Sequence, residues 1–116
     1  MGRGRTADGG RDVAHSFAIR ETQQRLAAGS GGYEIVHRSP GLELGVYVLA
    51  APEPDTQQPH ADDEVYVVLE GRGTLEVESQ SFPVADGDAL FVEAGAEHRF
   101  TGYESLSLLV IFTRPD

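Results

Sequence analysis

The stretch that decides the fold runs from residue 59 to residue 75 and reads PHADDEVYVVLEGRGTL. Its centre, residues 64–69 (EVYVVL), is rich in β-branched and aromatic residues, which favour a strand. Residues 70–73 contain two glycines and predict a turn. From residue 74 to residue 78, apolar and polar side chains alternate, which is typical of a strand with one buried face. The stretch therefore predicts two successive strands joined by a turn.

Strands on both sides of this stretch repeat the pattern. Six further short strands, separated by turn sequences, are predicted at residues 33–38, 43–50, 81–84, 89–92, 98–101 and 106–113. One helix is predicted at residues 16–29, where good helix formers are followed by Gly29, a residue suited to the C-cap. Eight short strands with one small helix indicate an all-β sandwich or barrel.

Two of the predicted strands, residues 64–69 and 106–112, are apolar on both faces. An antiparallel sheet needs only one dry face, so another layer is expected over the second one. Either the N-terminal segment or a second copy of the chain can supply that layer. A domain of this length is also marginal for independent stability. We therefore expect a homodimer.

The composition excludes several classes of protein. The chain has 116 residues, with 19 Asp and Glu against nine basic residues, all Arg, and a net charge of -10. This charge argues against binding to nucleic acid or to an anionic membrane surface. The chain has no cysteine, which excludes disulfides, thiolate metal sites and thiol nucleophiles. The longest apolar run, residues 106–112, is far shorter than a membrane-spanning helix.

The domain organisation is predicted to be simple. Residues 1–12 (MGRGRTADGGRD) carry too few apolar side chains to offset their backbone entropy, so we expect a flexible tail. Residues 13–116 are then expected to form a single barrel domain. No secretory signal is visible after the first arginines, and the lack of cysteine fits a reducing compartment. We expect a cytoplasmic location.

Histidines and a carboxylate occur where predicted strands begin. Glu64 opens the strand at residues 64–69 on the same face as Tyr66, an unfavourable place for a carboxylate unless it is paired or bound to a metal. His60 could approach Glu64 only if the chain bends at residues 61–63, a turn-like sequence; otherwise these residues form a solvated acidic turn. His98 opens another strand and shares a face with Phe100. His15 and His37 are expected to have ordinary surface or packing roles.

The two segments resemble the two sequence motifs of the cupin superfamily, and residues 59–75 look especially like small single-domain bacterial cupins. In the first motif, His60 and Glu64 fall at the family spacing, and a glycine follows Glu64 after six residues. In the second motif, Gly87, Gly95 and His98 all fall at the expected positions. The resemblance covers residues 33–113. It implies a double-stranded β-helix, or jelly-roll, barrel with a short N-terminal helix and a divalent metal near one end.

The resemblance also implies a set of metal ligands, with three departures from the family pattern. His60, Glu64 and His98 occupy ligand positions, and Gln58 stands where the family has its first histidine; Gln57 is the alternative. Glu93 and Gly102 replace the proline and asparagine of the second motif. Two imidazoles, one carboxylate and an amide oxygen, without cysteine, indicate iron, manganese, nickel or zinc.

Three functions remain open at this point. The first is a metal-dependent enzyme, dioxygenase-like or isomerase/lyase-like, that acts on a small molecule. The second is a non-catalytic module that binds a small ligand or a metal. The third is a degenerate cupin with a dry pocket, which the glutamine in place of histidine favours. Three aromatic residues are candidates for the pocket wall, with core packing as the alternative: Tyr66, Phe91 and Phe100.

Overall fold

The computed structural model describes residues 13–113, so the predicted tail at residues 1–12 lies outside the described residues. Within this range one helix and seven strands follow in the order α1 (Ile19–Ala28), β1 (Gly32–Ser39), β2 (Leu42–Ala50), β3 (Asp63–Val77), β4 (Gln80–Ala85), β5 (Ala89–Val92), β6 (His98–Thr101) and β7 (Ser105–Thr113). The chain is therefore mostly β, as the sequence predicts.

The strands form two antiparallel sheets that share β3. In the first sheet, β1 pairs with β2, β2 with β7, and β7 with the first half of β3, which also pairs with β5. In the second sheet, the last part of β3 lies between β4 and β6. This arrangement confirms the double-stranded β-helix predicted from the resemblance.

One predicted feature is wrong: residues 70–73 do not form a turn. β3 runs through them as a single 15-residue strand. Gly71 adopts a φ of 103°, and the pairing with β7 shifts register between Val68 and Glu70. The Gly71 amide donates a hydrogen bond to Asp86 Oδ1 (2.7 Å). A bulge of this kind bends a strand without ending it, so the glycines that suggested a turn mark the passage of β3 from one sheet to the other.

The helix is shorter than predicted. It begins at Ile19 rather than at residue 16, and Ala18, the N-cap residue, makes no side-chain hydrogen bond to the helix. Gly29 stands at the C-cap as expected. α1 packs against β1 and β2, and Gln23 Nε2 donates to Glu70 Oε1 on β3 (2.8 Å). The N-terminal segment thus covers part of the sheet, whereas the second subunit stays a prediction.

Apolar side chains from both sheets form one core. Tyr66 and Phe100 pack edge to face, with ring centroids 4.9 Å apart. Around them lie buried aliphatic residues of β3, β4, β5 and β7, among them Val68, Leu75, Val84, Val92, Leu106, Leu108 and Val110. Within the described residues, no helix has the length and apolar character needed to cross a membrane.

Candidate functional site

His60, Glu64 and His98 meet at one end of the barrel. Glu64 is the second residue of β3, His98 is the first residue of β6, and His60 lies in the loop between β2 and β3. Each offers one donor atom, and the three atoms lie within 4.8 Å of one another. The sequence allowed a bend at residues 61–63; the chain bends at residues 61 and 62, which brings His60 back towards Glu64.

The loop that carries His60 is fastened to the loop that precedes His98. The Gly95 amide donates to the His60 carbonyl oxygen (2.7 Å). The Ala94 amide donates to Asp63 Oδ1 (2.9 Å). Because both bonds join the two loops directly, the backbones that carry the two histidines are held at fixed separation.

Glu64 is a buried carboxylate that lies beside the His98 imidazole. The residue is 2% exposed, and apart from the 3.0 Å contact between Oε1 and His98 Nε2, neither carboxylate oxygen has a hydrogen-bond partner among the described residues. Its neighbours across the sheet, Phe112 on β7 and Val92 on β5, are apolar. Burying a carboxylate in this way is costly unless a cation balances it. The site is therefore suited to a positive charge beside Glu64.

His98 directs a lone pair or a proton at that carboxylate. Its Nδ1 lies 2.8 Å from the Ala96 carbonyl oxygen, which can only accept, so Nδ1 carries a proton. Nε2 lies 3.0 Å from Glu64 Oε1. Burial lowers the pKa of His98, but Glu64 and the Ala96 carbonyl raise it, and the pKa ends above its ordinary value of 6.5. The space beside Glu64 thus accepts either the Nε2 proton or a metal ion.

The donor set fits a divalent metal. A carbonyl that holds the Nδ1 proton leaves Nε2 as the ligand atom, the arrangement commonly found for metal-bound histidine. The 3.0 Å between His98 Nε2 and Glu64 Oε1 matches the separation of two neighbouring ligands with bonds of about 2.1 Å. His60, with its ring against Phe112 at a centroid distance of 4.7 Å, completes the group.

Tyr66 reaches the same group from the core. Its hydroxyl lies 3.0 Å from His98 Nε2 and donates to Gln57 Oε1 (2.8 Å). Burial, and next the charge of Glu64, raise the pKa of Tyr66 far above its ordinary value. The phenol therefore keeps its proton, which it donates to Gln57, and its oxygen lies beside the predicted ligand His98.

A buried aspartate that the sequence did not single out organises the loop between β2 and β3. Asp55 is 7% exposed. Its Oδ1 accepts from Tyr47 Oη (2.8 Å) and the Gln57 amide (3.2 Å), and its Oδ2 accepts from Gln57 Nε2 (2.7 Å) and the Phe100 amide (2.9 Å). The prolines before it, Pro52 and Pro54, are typical of the end of a strand, so no local signal marked Asp55. Since Gln57 Nε2 bonds Asp55, its Oε1 faces Tyr66.

We expect Asp55→Asn to destabilise the protein by about 2–4 kcal/mol, because the new NH2 group faces donors and leaves the Phe100 or Gln57 amide without an acceptor. Thermal unfolding should show this as a clear fall in Tm. Glu53→Gln, an exposed change in the same loop, is the control and should leave Tm nearly unchanged. Equal Tm values for the two variants would contradict the assigned role of Asp55.

A cavity of about 360 Å³ opens beside the cluster. Its lining includes His60 and Glu64, together with residues that the sequence reasoning missed: Tyr33, Glu43, Tyr47, Asp62, Val110 and Phe112. The sequence does contain a signal for Glu43. In the alternation along β2, Glu43 shares a face with Tyr47 and Leu49, so it places a carboxylate on an inward face, as Glu64 does on β3.

The two glutamines that were candidate ligands lie in different places. Gln57 lines the cavity and meets the cluster through Tyr66, whereas Gln58 is exposed and borders a neighbouring cavity. A ligand role for either stays a prediction.

Phe91 is 62% exposed because alternation along β5 turns it away from the interior, so its assignment to the pocket wall is wrong. Tyr66 and Phe100 lie in the core.

Comparisons with known proteins agree with this fold. The cupin domain family model matches residues 45–112. Uncharacterized protein SCO3923 of Streptomyces coelicolor is 37% identical over 102 residues, which are 87% of this chain and 97% of that protein. Protein NMB1881 from Neisseria meningitidis has a TM-score of 0.68 at 22% identity and covers 86% of this chain and 100% of its own.

An enzyme is among the similar solved structures. DMSP lyase DddQ from Ruegeria pomeroyi DSS-3 has a TM-score of 0.67 at 19% identity, over 75% of this chain and 48% of that one. Similarity at this level of identity extends to the fold alone. The family match over more than half of the chain and the 37% identical relative together establish that this chain belongs to the cupin family.

Proposed function

We propose that the protein holds a divalent metal ion through His60, Glu64 and His98, and that it is a metal-dependent enzyme acting on a small molecule in the adjoining cavity. The observation that carries the proposal is the Glu64 carboxylate, which is buried and has no partner among the described residues apart from the imidazoles that it faces. A bound cation balances this charge. Nitrogen and oxygen donors without thiolate favour iron, manganese, nickel or zinc.

The residues around the cluster suit chemistry on a small molecule. When bound, the metal acts as a Lewis acid that polarises a substrate oxygen or activates water or O2. Tyr66 donates its one hydroxyl proton to Gln57, so its Oη, 3.0 Å from His98 Nε2, can accept a hydrogen bond from a group at the cluster. Val110 and Phe112 provide an apolar wall that limits water. A volume of about 360 Å³ is at the small end of ligand-binding cavities.

The class of reaction is a separate part of the proposal. DMSP lyase DddQ, which has a similar fold, is a lyase, and this keeps a lyase-like or isomerase-like reaction open here alongside an oxygenase. Because the likeness covers the fold alone, its substrate is not transferred to this chain.

Elemental analysis of protein purified without chelator tests the metal site. We expect about one metal ion per chain in the wild type and almost none in His60→Ala. His37→Ala is the matched control, because His37 lies on β1 and contacts Ser39, His15 and Phe17 rather than the cluster. Near-zero metal in the wild type would refute the proposal. Stoichiometric metal without oxygen uptake or turnover of a metabolite panel would favour the non-catalytic module.

A further inference from the structure

Glu43 and Glu64 stand on opposite sides of the cavity in one row of paired residues. Glu43 on β2 pairs with Phe112 on β7, and Phe112 pairs with Glu64 on β3. Two strand spacings separate the carboxylates, so their α-carbons lie about 10 Å apart. The cavity therefore has two ends. The metal end contains His60 and Glu64, and the distal end contains Glu43, Tyr33 and Tyr47.

The two tyrosine hydroxyl groups at the distal end already donate their protons to carboxylates. Tyr33 Oη donates to Glu43 Oε2 (2.8 Å), and Tyr47 Oη donates to Asp55 Oδ1 (2.8 Å). Burial, and next the carboxylate that each phenol faces, raise the pKa of both tyrosines, so the phenols keep these protons. Each phenol oxygen still has lone pairs to offer. Towards a ligand, both tyrosines therefore act as acceptors.

The charges at the distal end also favour a ligand group that donates hydrogen bonds. Glu43 is 5% exposed, and its Oε1 accepts from Arg38 Nε (3.1 Å) and Nη2 (2.9 Å). Arg38 compensates this one carboxylate from outside the cavity, and its side chain is 55% exposed. The described cavity lining contains three carboxylates, of Glu43, Asp62 and Glu64, and no arginine. A second negative charge on a ligand would face acceptors and carboxylates here.

Building on the proposed metal site, we infer that the cavity selects a compact molecule with a metal-binding oxygen at one end and an uncharged or cationic hydrogen-bond donor, a hydroxyl or an ammonium, at the other. The hydroxyl or ammonium donates to Glu43 and to the phenol oxygens. A carboxylate or phosphate in that position is repelled, and it leaves the acceptors unpaired. Dicarboxylates and phosphorylated acids are thereby disfavoured.

Three probes of matched length test this selectivity: 4-aminobutanoate, 4-hydroxybutanoate and glutarate. Each has one carboxylate for the metal, and only the other end differs. Titration calorimetry on the zinc-loaded full chain should show that the ammonium and hydroxyl probes bind at least ~10-fold more tightly than glutarate. Equal or tighter binding of glutarate overturns the inference, as does the absence of binding by all three below about 10 mM.

Two variants should shift the preference in opposite directions. Glu43→Gln removes the acceptor charge and should reduce the preference for 4-aminobutanoate over glutarate to less than about threefold. Arg38→Gln removes the guanidinium that pairs with Glu43 and should increase that preference. Arg25→Gln is the control, because Arg25 pairs with Glu34 on the surface, and it should behave as the wild type. An unchanged preference in Glu43→Gln would contradict the assignment of the distal end.

Failure of the metal site and failure of the distal end are distinguishable. Metal content is measured on the same samples, so bound zinc with no preference among the probes rejects the selectivity alone. If zinc does not bind, n-butylammonium and butanoate probe the metal-free chain. Preference for n-butylammonium that disappears in Glu43→Gln then supports the distal end while the metal proposal fails. Equal binding of these two probes rejects the distal end as well.

Discussion

Glu64→Gln is expected to weaken metal binding by more than about 100-fold while leaving the metal-free protein at least as stable as the wild type. The carboxylate is 2% exposed and has no partner among the described residues apart from the His98 imidazole, so in the metal-free chain with a neutral His98 it is a cost rather than a support. The amide is nearly the same size and carries no charge, and its NH2 group can donate to His98 Nε2. Stability and metal affinity should therefore change independently.

Thermal unfolding with and without zinc measures both quantities. In the wild type, zinc at 100 times its Kd should add about 2.7 kcal/mol of stability, seen as a higher Tm. Glu64→Gln should show no zinc-dependent shift, and its Tm in EDTA should equal or exceed that of the wild type. Glu93→Gln, an exposed change in the loop before His98, should keep the full shift. A zinc-dependent shift of wild-type size in Glu64→Gln would refute the assignment of Glu64 as a ligand.

Gly71→Ala is expected to destabilise the protein by about 3 kcal/mol or more. At a φ of 103° an alanine is strained, and a Cβ at this position would collide with the backbone carbonyl oxygen of Ser105 on β7. Backbone cannot move aside without breaking the pairing of β3 with β7, so the cost of the collision adds to the cost of the conformation. Tm should fall by more than about 10 °C for a domain of this size.

Gly87→Ala separates these two contributions. Gly87 also has a positive φ, 88°, but a Cβ there would meet nothing within 4 Å. The Gly87→Ala substitution should therefore destabilise the protein by only about 1–2 kcal/mol, which is the strain of an alanine in the left-handed conformation. Comparison of the two Tm values isolates the effect of the close approach between β3 and β7. If Gly87→Ala were as damaging as Gly71→Ala, steric contact with Ser105 would not be the reason for glycine at position 71.

The predictable part of the site follows from strand periodicity and motif spacing. Glu64 and His98 each lie at the start of a strand with an inward side chain, and alternation along a strand is a local property that the sequence displays directly. His60 required a bend, which the acidic residues after it supplied. The fold class was predictable for the same reason, since the positions of short strands and turns depend on nearby residues.

The parts that were not predictable depend on residues distant in the chain. Asp55 is important because Phe100, 45 residues later, donates an amide to it, and no pattern around Asp55 indicates that partner. Residues 70–73 contain turn residues, yet Gly71 serves a bulge because β7 lies alongside. Phe91 was assigned by residue type, whereas its pairing with Val65 decides which way it faces.

The sharing of β3 between the two sheets makes the barrel cooperative. One half of β3 pairs with β5 and β7, and the other half pairs with β4 and β6, so neither sheet can separate without removing a strand from the other. Partial opening of one sheet is therefore disfavoured, and the amides of β3 should exchange with deuterium only through global unfolding. Since Glu64 is held at the start of this strand, the element expected to exchange most slowly also carries the candidate ligand.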